Sequence, residues 1–196
     1  MVNLNGSTVI NLTSKNTRGT TTNNYANRIW IKNAASGTYI DDVIITDTSG
    51  SKFNDVIPEK TIKSYFPIAD GSANDWIPST GSRYTCVDEP STNNGDTDYV
   101  SSSTVGAVQL FAMSDVNNAT SLDAVQITSV AKKDDSTSRV LRTVLRTNST
   151  NYESADQNLT TSYQAYTTIY DTNPNTTSNW DQTGFNGIEA GAKVQA

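Results

Sequence analysis

The sequence predicts an all-β fold, an antiparallel β-sandwich of short strands, on three observations. Thr, Ser and Asn make up about 37% of the 196 residues, whereas charged residues make up 17%. Nine Tyr, three Trp and four Phe, with abundant Thr and Val, separate the chain from disordered sequences, which lack aromatic and β-branched residues. Short apolar–polar alternations recur between clusters of Asn, Gly, Asp and Ser, the residues that favour turns.

The elements follow in order. Residues 1–27 are rich in Asn and Thr, with Val2, Leu4, Val9, Ile10 and Leu12 as the main apolar anchors, and read as an extended N-terminal arm that orders on a neighbour. Residues 28–70 form a small β region, either separate or part of the sandwich. Its strands are expected at Arg28–Lys32, Tyr39–Ile45, Lys52–Ile57 and Thr61–Phe66, separated by Gly37, Thr48–Gly50 and Pro58. The stretch Asp70-Gly-Ser-Ala-Asn-Asp75 is the best internal boundary, so a sandwich domain is expected over 71–196. Within it, strands are expected at Arg83–Val87, Asp98–Ser101, Ala107–Met113, Ala124–Lys132, Ser138–Arg146, Leu159–Tyr170 and Gly187–Val194. In Arg139–Arg146, Leu141, Thr143 and Leu145 share one side, and Val140, Arg142, Val144 and Arg146 the other. Long loops between some strands favour Greek-key or jelly-roll connections.

The residue chemistry excludes more than it offers. There is no histidine, and Cys86 is the single cysteine, so the usual nucleophile–base pairs, transition-metal sites and any intramolecular disulfide are not expected. No Gly-x-Ser-x-Gly motif is present. The net charge of −6 argues against a nucleic-acid partner. The basic run of Lys132, Lys133, Arg139, Arg142 and Arg146 reads as a solvated strand face. No stretch approaches the roughly 20 apolar residues of a membrane helix. No basic-then-apolar leader is read at the N-terminus, and without one the five Asn-x-Thr sequences at Asn11, Asn118, Asn148, Asn158 and Asn175 carry no weight.

Two acidic clusters, Asp41-Asp42 and Asp88-Glu89 with Asp96 and Asp98, contain the residue types that hold Ca²⁺ or hydrolyse glycosides. Their spacing matches no EF-hand or other specific scheme, and no catalytic, cofactor or metal residues are assigned. Trp76, Trp180, Tyr84, Tyr99, Tyr163 and Tyr166 suit either a glycan-stacking platform or the plugged ends of a sandwich, the second being favoured. Cys86 reads as a small buried hydrophobe.

One resemblance covers about two-thirds of the chain, from Tyr65 to Val194. It rests on Trp76-Ile-Pro-Ser-Thr-Gly81, Tyr84-Thr-Cys-Val-Asp-Glu89, Asp96-Thr-Asp-Tyr-Val100, Leu122-Asp-Ala-Val-Gln-Ile127 and Ala131-Lys-Lys133. Val140-Leu-Arg-Thr-Val-Leu-Arg146, Leu159-Thr-Thr-Ser-Tyr163, Asp171-Thr-Asn-Pro174, Trp180 and Ile188-Glu-Ala-Gly-Ala-Lys-Val194 follow in order. This order resembles virion structural proteins of tailed bacteriophages, of the capsid decoration, cement or head-fibre-base type. The resemblance implies a jelly-roll-like sandwich and a non-enzymatic subunit located in the virion. Its implied partners are the major capsid protein or other virion proteins and further copies of itself, and it carries over no catalytic residue, cofactor or membrane contact. The alternatives are a glycan-binding adhesion module and a tail or neck subunit.

Overall fold

A computed structural model describes residues 2–4, 7–10, 60–90, 94–119 and 121–196, and the chain divides into two compact units, 1–59 and 60–196. In the first unit β1 (Val2–Leu4) pairs antiparallel with β2 (Ser7–Ile10). The rest of the expected arm and the strands expected at Arg28–Lys32, Tyr39–Ile45 and Lys52–Ile57 lie outside the described residues, as do Asp41 and Asp42.

The second unit is mostly β, and every strand pairing in it is antiparallel. Its strands are β3 (Pro67–Asn74), β4 (Ile77–Pro78), β5 (Val100–Ser101), β6 (Val108–Met113), β7 (Val125–Ala131), β8 (Val140–Thr147), β9 (Thr150–Glu153), β10 (Gln157–Asn158), β11 (Gln164–Tyr170) and β12 (Glu189–Val194). One five-residue helix, α1 (Gln182–Asn186), precedes β12, with the Asp181 carboxylate accepting from the Gly184 amide at its start. The main sheet runs β10-β8-β12-β6-β3, with β9 on the same edge of β8 as β10. The β7–β11 ribbon pairs over seven residues. Its inward side chains pack on the sheet: Val125 and Ile127 cluster with Leu145, Trp180, Ile188 and Ala190, and Tyr166 clusters with Leu141 and Ala192.

The position of β12 follows from its small residues. It lies between β6 and β8, pairing Ala190 with Phe111 and Leu145, Gly191 with Leu110 and Val144, and Ala192 with Gln109 and Thr143. Ala and Gly are poor strand formers in isolation. Here Ala190 and Ala192 leave room for the large Trp180 and Tyr166 in the same two clusters, and such large-against-small complementarity fills a core without voids. Gly191 has a stricter reason: a Cβ there would overlap the Gln109 carbonyl oxygen and come within 2.9 Å of the carbonyl carbon.

Local chemistry closes the elements. Between β8 and β9, Asn148 and Ser149 have φ of 47° and 64°, the two positive values that a two-residue type I′ hairpin requires. The Asn148 sequence is therefore a hairpin turn.

Four expectations are corrected. Arg83–Val87 is not a strand: Tyr84–Cys86 forms a 3₁₀ turn, with Cys86 and Val87 amides bonded to Arg83 and Tyr84 carbonyls. Long-range partners override the local pattern, since Asp70 accepts from the Tyr84 amide and the Arg83 Nε donates to the Trp76 carbonyl at 2.7 Å. Thr61–Phe66 carries no strand. Leu159–Tyr170 is a strand only from Gln164, because the Tyr166 hydroxyl bonds the Asn158 carbonyl and the Thr160 amide across the turn before it. The turn-like Asp70–Asp75 stretch falls largely within β3. There Gly71–Ala73 form a wide irregularity between the pairs Asp70–Phe111 and Asn74–Gln109, and a Cβ on Gly71 would stand 2.8 Å from the Leu110 main chain.

These contacts yield a paired prediction. Gly191→Ala will destabilise the second unit by about 3 kcal/mol or more, because a main-chain group must move. Gly187→Ala, whose Cβ would have its nearest neighbour at 3.7 Å, will stay within about 1 kcal/mol of wild type. Urea denaturation of both variants measures the difference.

Candidate functional site

The basic residues on the main sheet are paired internally. Arg142 and Lys193 stand opposite each other on β8 and β12, as do Arg146 and Glu189. The repulsion between Arg142 and Lys193 is relieved by Glu153 on β9, whose carboxylate takes Lys193 at 2.8 Å and Arg142 at 3.0 Å. Asp156 holds the other side of Arg142 at 2.6 Å, and Glu189 lies 3.5 Å from Arg146. Glu189 also accepts from the amide and hydroxyl of Ser72, binding the irregular part of β3 to β12. Val144 is fully buried on this same face, between Arg142 and Arg146 along β8. Nearby, Arg139 pairs with Asp135 at 2.7 Å and Lys132 with Asp96 at 2.6 Å. Solvent screens pairs of this kind, so together they fix geometry more than they add stability.

The acidic loop divides in two. Asp96 turns to Lys132 and to the Tyr163 hydroxyl, which also donates to the Gly95 carbonyl, and the Lys132 ammonium lies 4.8 Å over the Tyr163 ring. Burial and the Asp96 hydrogen bond push the Tyr163 phenol up to about 12. Glu89 and Asp98 instead share the Asn94 side-chain amide, at 2.8 and 3.2 Å. Burial, then the charges of Asp98 and Asp88, raises the Glu89 carboxyl above its ordinary value. Among the described residues, no three Asp, Glu, Cys or His side chains converge as a cation site would require. The arrangement joins the 94–98 loop to the turn before β11.

The aromatic residues are dispersed. Trp180 is buried, its indole donating to the Tyr170 carbonyl at 2.8 Å, and Tyr166 is buried beside Leu141. Trp76 is half-buried against the same cluster and donates to the Ala107 carbonyl. Tyr84 and Tyr163 are half-buried, and Tyr99 is 40% exposed. Cys86 is buried, with its thiol donating toward the Thr80 carbonyl at 3.0 Å.

Among the described residues, the β7–β11 ribbon presents an uncharged surface open to a partner. Its outward side chains lie in opposed pairs, Gln126–Ile169, Thr128–Thr167 and Val130–Ala165, all exposed and none charged. Beside it runs a shallow groove of about 530 Å³ between Ser154–Asn158 and the Tyr166–Ile169 stretch of β11. Sequence reading missed this surface, although alternation within Ala124–Lys132 carried a partial signal: every outward residue of β7 is uncharged.

Comparison of the chain with protein-family models, with curated proteins and with solved structures found no match.

The two glutamates give opposite pH responses. Glu153 is lowered by its Lys193 and Arg142 partners, so its stabilisation is present above 4.5 and lost as pH falls through the lower folded value. Glu89 is raised, so its contribution is fully present below 4.5 and lost as pH rises through the higher folded value. At pH 7, Glu153→Gln will lower the melting temperature and Glu89→Gln will raise it. Both differences will shrink by pH 3, as differential scanning calorimetry will show.

Proposed function

We propose that this chain is a non-enzymatic structural subunit of a tailed-phage virion that attaches to the assembled capsid and stabilises or decorates it. The observation that carries this reading is the contrast between the two kinds of surface. The main sheet neutralises its charged side chains with one another, whereas the ribbon presents six uncharged side chains in register. A self-neutralised sheet offers little to a phosphate backbone, and a flat ribbon without charge suits contact with protein.

The order of motifs from Tyr65 to Val194 supplies the virion part of the proposal. The finer architecture, a jelly-roll-like sandwich, belongs with it, supported by the shared core of ribbon and sheet. Further copies of the chain and the major capsid protein are the partners this reading implies. Glycan binding has less support, because Trp180 and Tyr166 are committed to the core.

Mechanically, many weak contacts on a symmetric shell act together, since rupture must break several at once. Phage particles assembled without this chain will package DNA but rupture at lower temperature or under milder osmotic shock. Equal survival of both particles contradicts the stabilising role.

A further inference from the structure

We infer that the free edge of β11 pairs with the β11 edge of a second copy, antiparallel about a two-fold axis at Thr167, to form a continuous four-stranded sheet β7-β11-β11-β7. The inference does not depend on the virion reading.

The edges of this unit are not treated alike. Native proteins blunt exposed edge strands with proline, bulges, charge or brevity. Edge strand β3 carries Pro67 and two register irregularities. On the other edge of the main sheet, β9 and β10 have four and two residues and are interrupted between them. In the ribbon, β7 is closely bracketed by Asp123, paired with Lys60, and by Lys132, paired with Asp96. β11 has no charge and no proline over Gln164–Tyr170, keeps an unbroken seven-residue register on its other side, and is flanked by charge at one end only, by Asp171, its Thr161–Tyr163 flank being uncharged. Among the described residues, no group outside β7 bonds the main chain of Ala165–Ile169. Such an edge is a template for an added strand.

The groove and the charges select the occupant. The groove lies along this edge and has room for a few residues of extended chain. Its one charged lining residue, Asp156, is held by Arg142 at 2.6 Å. In a chain of net charge −6, most copies of a surface would repel each other. Antiparallel β11 pairing centred on Thr167 places Gln164 opposite Tyr170, Ala165 opposite Ile169 and Tyr166 opposite Thr168, so no like charges meet. Strand pairing alone buries less than the roughly 800 Å² per partner of a stable complex, so association is reversible and concentration-dependent.

The test uses the full chain. Sedimentation will show a concentration-dependent dimer, and Thr167→Lys, which places two ammonium groups opposite each other, will weaken it by about ten-fold or more. Thr167→Cys will form a disulfide-linked dimer under mild oxidation, because directly opposed strand residues lie within disulfide reach. Thr128→Cys, one strand further from the axis on each side, will not. Three results overturn the inference: monomer at all concentrations, equal cross-linking of both cysteine variants, or dimerisation unaffected by Thr167→Lys. A monomer that Thr167→Lys destabilises would show instead that the chain's own residues cover this edge.

Discussion

The close packing of β12 between β6 and β8 is the constraint on which the rest of the second unit depends. The strand joins the two halves of the main sheet, and among the described residues no other strand bonds to both of its neighbours. Its Gly191 admits a carbonyl from β6 where any side chain would collide, and its two alanines make space for Trp180 and Tyr166. The ribbon rests on the surface so formed. Without β12, β6 and β8 would each have an unsatisfied edge, and the inward residues of the ribbon would lose the Ala190 and Ala192 side of their core.

The opposite face of the same sheet obeys a different rule. Register, set by the buried face, places Arg142 beside Lys193, and the cost of that juxtaposition is removed by Glu153 from the hairpin strand β9. The Asn148–Ser149 turn fixes where Glu153 falls, opposite Val144 and between the two cations. Turn geometry, strand register and electrostatics therefore agree at one position, which is the consistency expected of a sequence that specifies a single fold. Among the described residues, the ribbon has no such interlock of charges on its outer face or at its β11 edge, and that difference leaves it a surface open to partners.

Legibility in the sequence tracked the range of the interactions. Strands β6, β7, β8 and β12 were readable because alternation or a local run of small and β-branched residues carried them. The 3₁₀ turn at Tyr84–Cys86 was not, since its anchors, Asp70 and the Trp76 carbonyl, lie well upstream. β3 was hidden because Asp70-Gly-Ser uses turn residues to make an irregular strand, held by Glu189 more than a hundred residues later. The arginine run was visible, but its neutralisation was not, because Glu153, Asp156 and Glu189 are not sequence neighbours. The groove along β11 combines segments on either side of a turn, and nothing in their composition announces a concavity.

The most direct test of this account is native-state amide hydrogen exchange on the full chain. If β12 holds the sheet together, the hydrogen-bonded amides of Ala190–Lys193 will exchange in the slowest class, at the same rate as protected amides of β6 and β8 and only through global unfolding. Exchange of β12 by a local opening, while β6 and β8 remain protected, would contradict it.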